Sequence, residues 1–224
     1  MKAADVMVLN VVTVGPQTSV HELADIFLIN RISAAPVVGE NGHLVGVVSE
    51  SDLLRRAETG TERRRSWWLK LLSGNQALVA ECANSHGRKI TEIMSPEVVT
   101  ASPDMSLQDV AALLEKNRIR QVPIVSGGRM VGIVSRANLI QALATARRQV
   151  SAATATSDSM IREDLMSRLA TKPWVRSSRI NVIVHDGTVE LWGAVPSRAE
   201  QQEIRILAEA AAGVRSVHDN LLYG

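Results

Sequence analysis

At 224 residues the chain is long enough for one large domain or two to three small ones, each with its own core. It is 46% hydrophobic and 21% charged, ordinary for a soluble globular protein, and its formal net charge of +2 makes no case for nucleic acid. A lone cysteine, Cys82, excludes an intramolecular disulfide framework, and no window reaches the roughly 18 apolar residues that a spanning helix needs.

The opening MKAADVMVLNVVTV has no signal-peptide core, because Asp5, Asn10 and Gly15 interrupt it, so a cytoplasmic location is expected. VVTV is a β-branched run ended by Gly15-Pro16 and is predicted as a short strand. Ser19, with Glu22 three residues on, forms a capping box for a helix carrying Leu23, Ile26 and Phe27 at helical spacing. APVV enters a second strand, Glu40-Asn41-Gly42 a turn, LVGVVS a third strand, and a closing helix follows.

All of this recurs. Asp5–Val38 laid over Glu92–Val125 at a constant offset of 87 matches at twelve of thirty-four positions, among them Met7/Met94, Thr13/Thr100, Asn30/Asn117, Arg31/Arg118 and Pro36/Pro123. One deletion in the turn makes the offset 86 and brings Gly46/Gly132, Ser49/Ser135 and Leu53/Leu139 into line. Such a period marks a duplication, each copy strand, helix, strand, strand, helix.

At the end of the third strand Ser49 and Ser135 stand where a strand becomes a helix, so backbone N–H groups and the positive helix end are expected to be open to a phosphate there. Asp52 can accept two hydrogen bonds from a vicinal diol such as a ribose. Gly46 and Gly132 let another backbone or a flat base approach, while Pro36 and Pro123 remove a donor near the strand start. The same residues also read simply as helix caps, and capping and binding are compatible. The copies differ: Glu50 and Asp52 of the first repel a phosphate, whereas Arg136 of the second offers a donor fork, with Asn138 in place of the acid.

The pattern M-x-x-x-V-V-T, R-I-x-x-x-P-h-V, G-h-V-S-x-x-[DN]-L resembles the cystathionine-β-synthase (CBS) domain, present here as the tandem pair called a Bateman module. The resemblance implies an α+β fold with two pseudo-symmetric repeats whose clefts bind adenosine-type ligands (AMP, ADP, ATP, S-adenosylmethionine or NADH), homodimers built through the modules, and a regulatory rather than catalytic role. It implies ribose and phosphate contacts for Ser49, Asp52, Ser135 and Asn138, to which the donor fork of Arg136 adds a phosphate contact on its own chemistry. Base contacts fall to Thr13, Ala35, Pro36, Thr100, Val122 and Pro123.

Between the copies, Arg55–Lys89 carries a charge of +5 from eight basic and three acidic residues, with Arg63, Arg64 and Arg65 beside Trp67 and Trp68. It reads as a linker helix packing its tryptophans on the module or a dimer mate, or else as a membrane-surface or partner contact; single-stranded nucleic acid ranks below these. Cys82 and His86, four apart, do not make a metal site, and no catalytic motif is present.

After Arg148 a small polar stretch, SAATATSD, forms a joint. Ile161, Leu165 and Leu169 then mark a short helix. Ile180, Val182 and Val184 mark a strand turning at Asp186-Gly187 into VELWGAV, with Trp192 expected in the core. Ser197 with Glu200 opens a helix that stops at Gly213, and VRSVHDNL is a last strand. The order α-β-β-α-β, with DGTVELWGAV and GVRSVHDNL, is similar to the BON domain, which implies contact with phospholipid or a protein partner. The expected organisation is repeat 1 over 1–56, insertion 57–90, repeat 2 over 91–148, linker 149–157 and BON-like domain 158–224. Two readings stay open: a sensor relaying an adenine nucleotide through the BON-like domain to a partner, or a structural adaptor docked through that domain. An enzyme would need catalytic groups that this sequence does not offer.

Overall fold

A computed structural model describes residues 1–55, 89–147, 158–172, 174–175 and 179–223. The insertion residues Arg63, Arg64, Arg65, Trp67, Trp68, Cys82 and His86 lie outside the described residues. Among those described, no helix is long and apolar enough to cross a membrane.

The chain divides into two compact units, Val12–Val99 with Gly127–Met130, and Met1–Val11 with Thr100–Ser126 and Val131–Gly224. In the first, helix α2 (Val20–Asn30) is opened by the Ser19–Glu22 capping box, Glu22 N–H donating to Ser19 Oγ at 3.2 Å and Ser19 N–H to Glu22 Oε2 at 2.8 Å. Its Leu23 and Phe27 bury themselves against the antiparallel strands β1 (Ala34–Val38) and β2 (Leu44–Ser49), whose Ala35, Val37 and Val48 complete the core. Helix α3 (Glu50–Arg55) follows β2 without a loop.

The other unit repeats the plan with α4 (Leu107–Lys116), β3 (Gln121–Ser126), β4 (Arg129–Ser135) and α5 (Arg136–Arg147). Ser106 caps α4 as Ser19 caps α2. The matched Asn-Arg-Ile triplet ends both helices alike: Asn30 and Asn117 donate to the carbonyls of Ile26 and Leu113 at 2.8 Å, and Arg31 and Arg118 then take left-handed φ of 49° and 53°. A side chain is disfavoured there by about 1–2 kcal/mol, partly offset by the unfolded-state freedom that glycine adds. Arg118→Gly is therefore expected to stabilise the protein by about 0.5 kcal/mol, read as a small rise in Tm.

The predicted VVTV strand is reduced to a single bridge. Val14 alone pairs with Val37, exchanging hydrogen bonds with Pro36 O at 3.0 Å and Val38 N at 2.9 Å; Ala101 does the same with Pro123 O and Val125 N in the second copy. After each bridge the chain turns away, Thr18 N–H donating to Gly15 O at 3.1 Å and Met105 N–H to Ser102 O at 3.1 Å.

Residues before each bridge pack on the opposite repeat. Met1–Val11, with the short helix α1 (Ala3–Val6), lies on the second copy: Ala3 N–H donates to Met105 O at 2.8 Å, and Val8 pairs with Ile133 in β4. An exposed Lys2–Asp104 ion pair at 2.8 Å holds the Asp104 carboxyl below its ordinary range. Conversely Lys89–Ser95, with a 3-10 turn over Ile90–Glu92, lies on the first copy, where Ile90 is fully buried in its core and Ser95 pairs with Val47 in β2. Gly46 and Gly132 make both dockings feasible. A Cβ on Gly132 would stand 2.8 Å from Met7 Sδ and 3.0 Å from Val8 O; one on Gly46 would stand 2.7 Å from Met94 Sδ and 3.1 Å from Ser95 O. What approaches these glycines is a backbone and a methionine of the same protein, not a base.

The C-terminal part has the expected α-β-β-α-β order: α6 (Asp158–Ala170), β5 (Arg179–His185), β6 (Thr188–Val195), α7 (Arg198–Glu209) and β7 (Ser216–Tyr223). The sheet runs β5-β6-β7, antiparallel then parallel. Ile161, Leu165 and Leu169 of α6 and Ile204 and Ala208 of α7 cover one sheet face bearing Ile180, Val182, Val184, Val189 and Leu191. Trp192, expected in this core, is on the other face in register with Asn181; Trp174 packs against the core instead. At the β5–β6 turn Asp158 accepts the Asp186 and Gly187 N–H groups at 2.7 and 2.9 Å, where φ is 48° and 70°. His185 and Asp186 approach Asp158 there, and holding this turn accounts for their convergence.

Candidate functional site

Each repeat presents its candidate residues around one strand-to-helix junction. In the first, β1 and β2 set Ala34 opposite Ser49 and Pro36 opposite Val47. Ala35 and Pro36 are buried, Thr13 is exposed, and Ser49 and Asp52 are half-buried. Asp52 Oδ2 accepts from both Ser49 N–H at 2.8 Å and Ser49 Oγ at 2.7 Å, and Ser49 Oγ also meets Ser51 Oγ at 2.7 Å. Glu50 N–H is spent on Ser33 O at 2.9 Å.

In the second copy Val122 and Pro123 are buried and Thr100 and Arg136 exposed. Asn138 Oδ1 accepts from Ser135 N–H and from Ser135 Oγ, each at 2.8 Å, and Asn138 Nδ2 donates to Gln141 Oε1 at 3.2 Å. Asn138 is only 5% exposed. Arg136 N–H donates to Arg120 O at 3.1 Å, while its side chain projects into solvent.

These distances correct the expectation of open amides. The junction serine N–H is closed in both copies by the side chain three residues on, and the next N–H is taken by the neighbouring strand's end. The proline carbonyls, too, are used by Val14 and Ala101. What each junction keeps for a ligand differs. In the first copy, among the described residues, Asp52 Oδ1 accepts no hydrogen bond and retains the acceptor capacity that a diol needs. In the second, Asn138 is committed on both amide atoms, so the exposed functional group is the Arg136 guanidinium, which nothing acidic on its own helix turn offsets. The paired carboxylates Glu50 and Asp52 give the first junction the opposite sign.

Gln141 was not singled out from the sequence. It lies one turn after Asn138 and its Oε1 accepts a second hydrogen bond, from Asn181 Nδ2 of β5 at 3.0 Å. Polar Asn181 within the otherwise apolar run INVIV was the available signal.

The CBS domain model matches residues 3–58 and 90–145, and the BON domain model matches residues 157–224. An uncharacterized protein of Methanocaldococcus jannaschii is 34% identical over 137 residues, 55% of this chain and 82% of that protein. The chloroplastic CBS domain-containing protein CBSX1 of Arabidopsis thaliana is 31% identical over 145 residues, 60% of each chain. Among solved structures, CBSX2 from Arabidopsis thaliana superposes with a TM-score of 0.54 at 28% identity, and CBSX2 in complex with AMP with 0.50 at 26%; each comparison covers 66% of this chain and 98% of the other.

Proposed function

Since the chain belongs to the CBS-domain family, with two CBS domains followed by a BON domain, we propose that it is a non-catalytic regulatory protein that binds an adenine nucleotide at its strand-to-helix junctions and relays occupancy through the BON domain to a partner. The observation that carries the reading is the duplicated junction with opposite charge at its two copies, Glu50 and Asp52 against Arg136. It is supported by the likeness to CBSX2, a protein solved with AMP. Arg136 holds the phosphate in the second repeat, Ser135 and Asn138 shape the turn beneath it, and Thr100 and the Val122-Pro123 segment wall the base. Asp52 and Ser49 with Thr13 and Ala35-Pro36 suit an uncharged nucleoside in the first.

Calorimetric titration with AMP tests the assignment. Arg136→Ala is expected to weaken binding about tenfold, the loss of one charge-assisted contact, and Asp52→Ala to change it little. Unchanged affinity in the Arg136 variant rejects Arg136 as the phosphate contact.

One observation favours the adaptor as a second reading: the protein's own side chains already satisfy the junction serines. A thermal-shift series with AMP, ADP, ATP, S-adenosylmethionine and NADH separates the two, because a bound ligand stabilises by RT ln(1+[L]/Kd). A flat series supports docking through the BON domain to lipid or protein, without a nucleotide.

A further inference from the structure

The second face of the BON sheet is not bare. Asn181 on β5 is 5% exposed and donates from Nδ2 to Val6 O at 3.1 Å and to Gln141 Oε1 at 3.0 Å. Arg162 on α6 donates to Val182 O at 2.8 Å and, through Nη2, to Met7 O at 2.7 Å; burial lowers its pKa, which Asp5 partly counters. The sheet therefore grips two parts of the second repeat's unit: α5 through Gln141, and the N-terminal segment whose Met7 rests on Gly132.

A continuous hydrogen-bonded run links Ser135, Asn138, Gln141 and Asn181, from the junction to β5. Gln141 Oε1 is the shared acceptor in the middle. A change in how Asn138 uses its amide alters what Gln141 can offer Asn181.

The contact is also incomplete. Asn181 Oδ1 and Trp192 Nε1, on paired residues of β5 and β6, are buried with no hydrogen-bond partner among the described residues. Buried polar groups left in this way weaken a contact relative to a fully satisfied or apolar one, and a weakly held contact is shifted by a small differential interaction.

We infer that Gln141 is a positioning residue that couples occupancy of the second-repeat junction to docking of the BON sheet, an inference that rests on the nucleotide reading above. A ligand oxygen that takes the Ser135 hydroxyl leaves Asn138 Oδ1 held by the Ser135 N–H alone, loosens the amide, and shifts the bond that its Nδ2 makes to Gln141. By reciprocity, loosening the sheet alters the junction's affinity by the same factor.

Hydrogen exchange of the amides in residues 179–192 of the full chain, with and without saturating AMP, tests the coupling. Wild type is expected to change protection about threefold or more on adding AMP. Gln141→Leu is expected to lose that difference while still binding AMP within about tenfold of wild type, and Gln141→Glu, which keeps the acceptor oxygens, to retain it. AMP binding without any change at 179–192, or a change that persists in Gln141→Leu, overturns the coupling and leaves the nucleotide reading intact. If AMP does not bind, that reading falls, and an Asn138→Ala/Asn181→Ala double-mutant cycle on stability decides the coupling: non-additive effects support it and additive ones overturn it.

Discussion

Gly132→Ala is expected to destabilise the protein by about 1–3 kcal/mol, and Gly46→Ala by a similar amount. The added methyl of the first meets Met7 Sδ at 2.8 Å and Val8 O at 3.0 Å. A methionine tip can swing aside, but Val8 O is backbone, held by the bridge that Val8 makes with Ile133. Met7→Ala in the Gly132→Ala background should thus restore part of the loss and not all of it. Equilibrium denaturation of the four proteins in that cycle gives the answer. Full stability in Gly132→Ala would mean that the N-terminal segment does not lie on β4 in solution.

Glu190→Ala is expected to cost about 2–3 kcal/mol of BON-domain stability. The Glu190 carboxylate is fully buried, and it accepts from Asn220 Nδ2 at 2.8 Å and from His218 at 2.7 Å, a contact that requires the proton on Nδ1. Truncation strips two donors of a common charged acceptor in a site built around its shape. Glu190→Gln keeps the volume and one acceptor oxygen, and is expected to lose about half as much. Denaturant unfolding followed by Trp174 and Trp192 fluorescence, in a background where Trp67 and Trp68 are replaced by phenylalanine, reads the difference. A wild-type midpoint in Glu190→Ala would show that the carboxylate lies open to water.

The duplication, the serine caps, the glycine turns and the BON strand order were legible because each depends on residues close in sequence. Ser19, Ser106 and Ser197 cap as their spacing predicts, and Asp186-Gly187 turns the hairpin with both φ angles positive. The exchange of segments between repeats was not legible, although its signs were: the matched Met7/Met94 and Gly46/Gly132 are the two halves of that contact. Alignment shows that two positions recur, not that they touch crosswise. The junction was half legible. Ser49–Asp52 and Ser135–Asn138 were correctly placed on a strand-to-helix turn, but spacing alone could not say whether the side chain three residues on points to a ligand or back to the serine. Asn181, Glu190, His218 and Asn220 share one sheet face, and residue type alone announces neither the burial of Glu190 nor the displacement of Trp192 from the core; only Asn181, polar within an apolar run, gave a sign.

The crossed segments impose an order on biosynthesis. Residues 1–11 leave the ribosome well before Ile133, yet their seat on β4 exists only once Ile133 has emerged. Ile90, which fills the first repeat's core, likewise arrives after that repeat's own strands have been made. Nascent repeat 1 must wait as an unfinished core with a vacant strand edge, and closing loops this long slows its completion. Truncated chains released before about residue 135 should accordingly be sticky and prone to degradation, whereas a chain carrying both repeats has both edges covered.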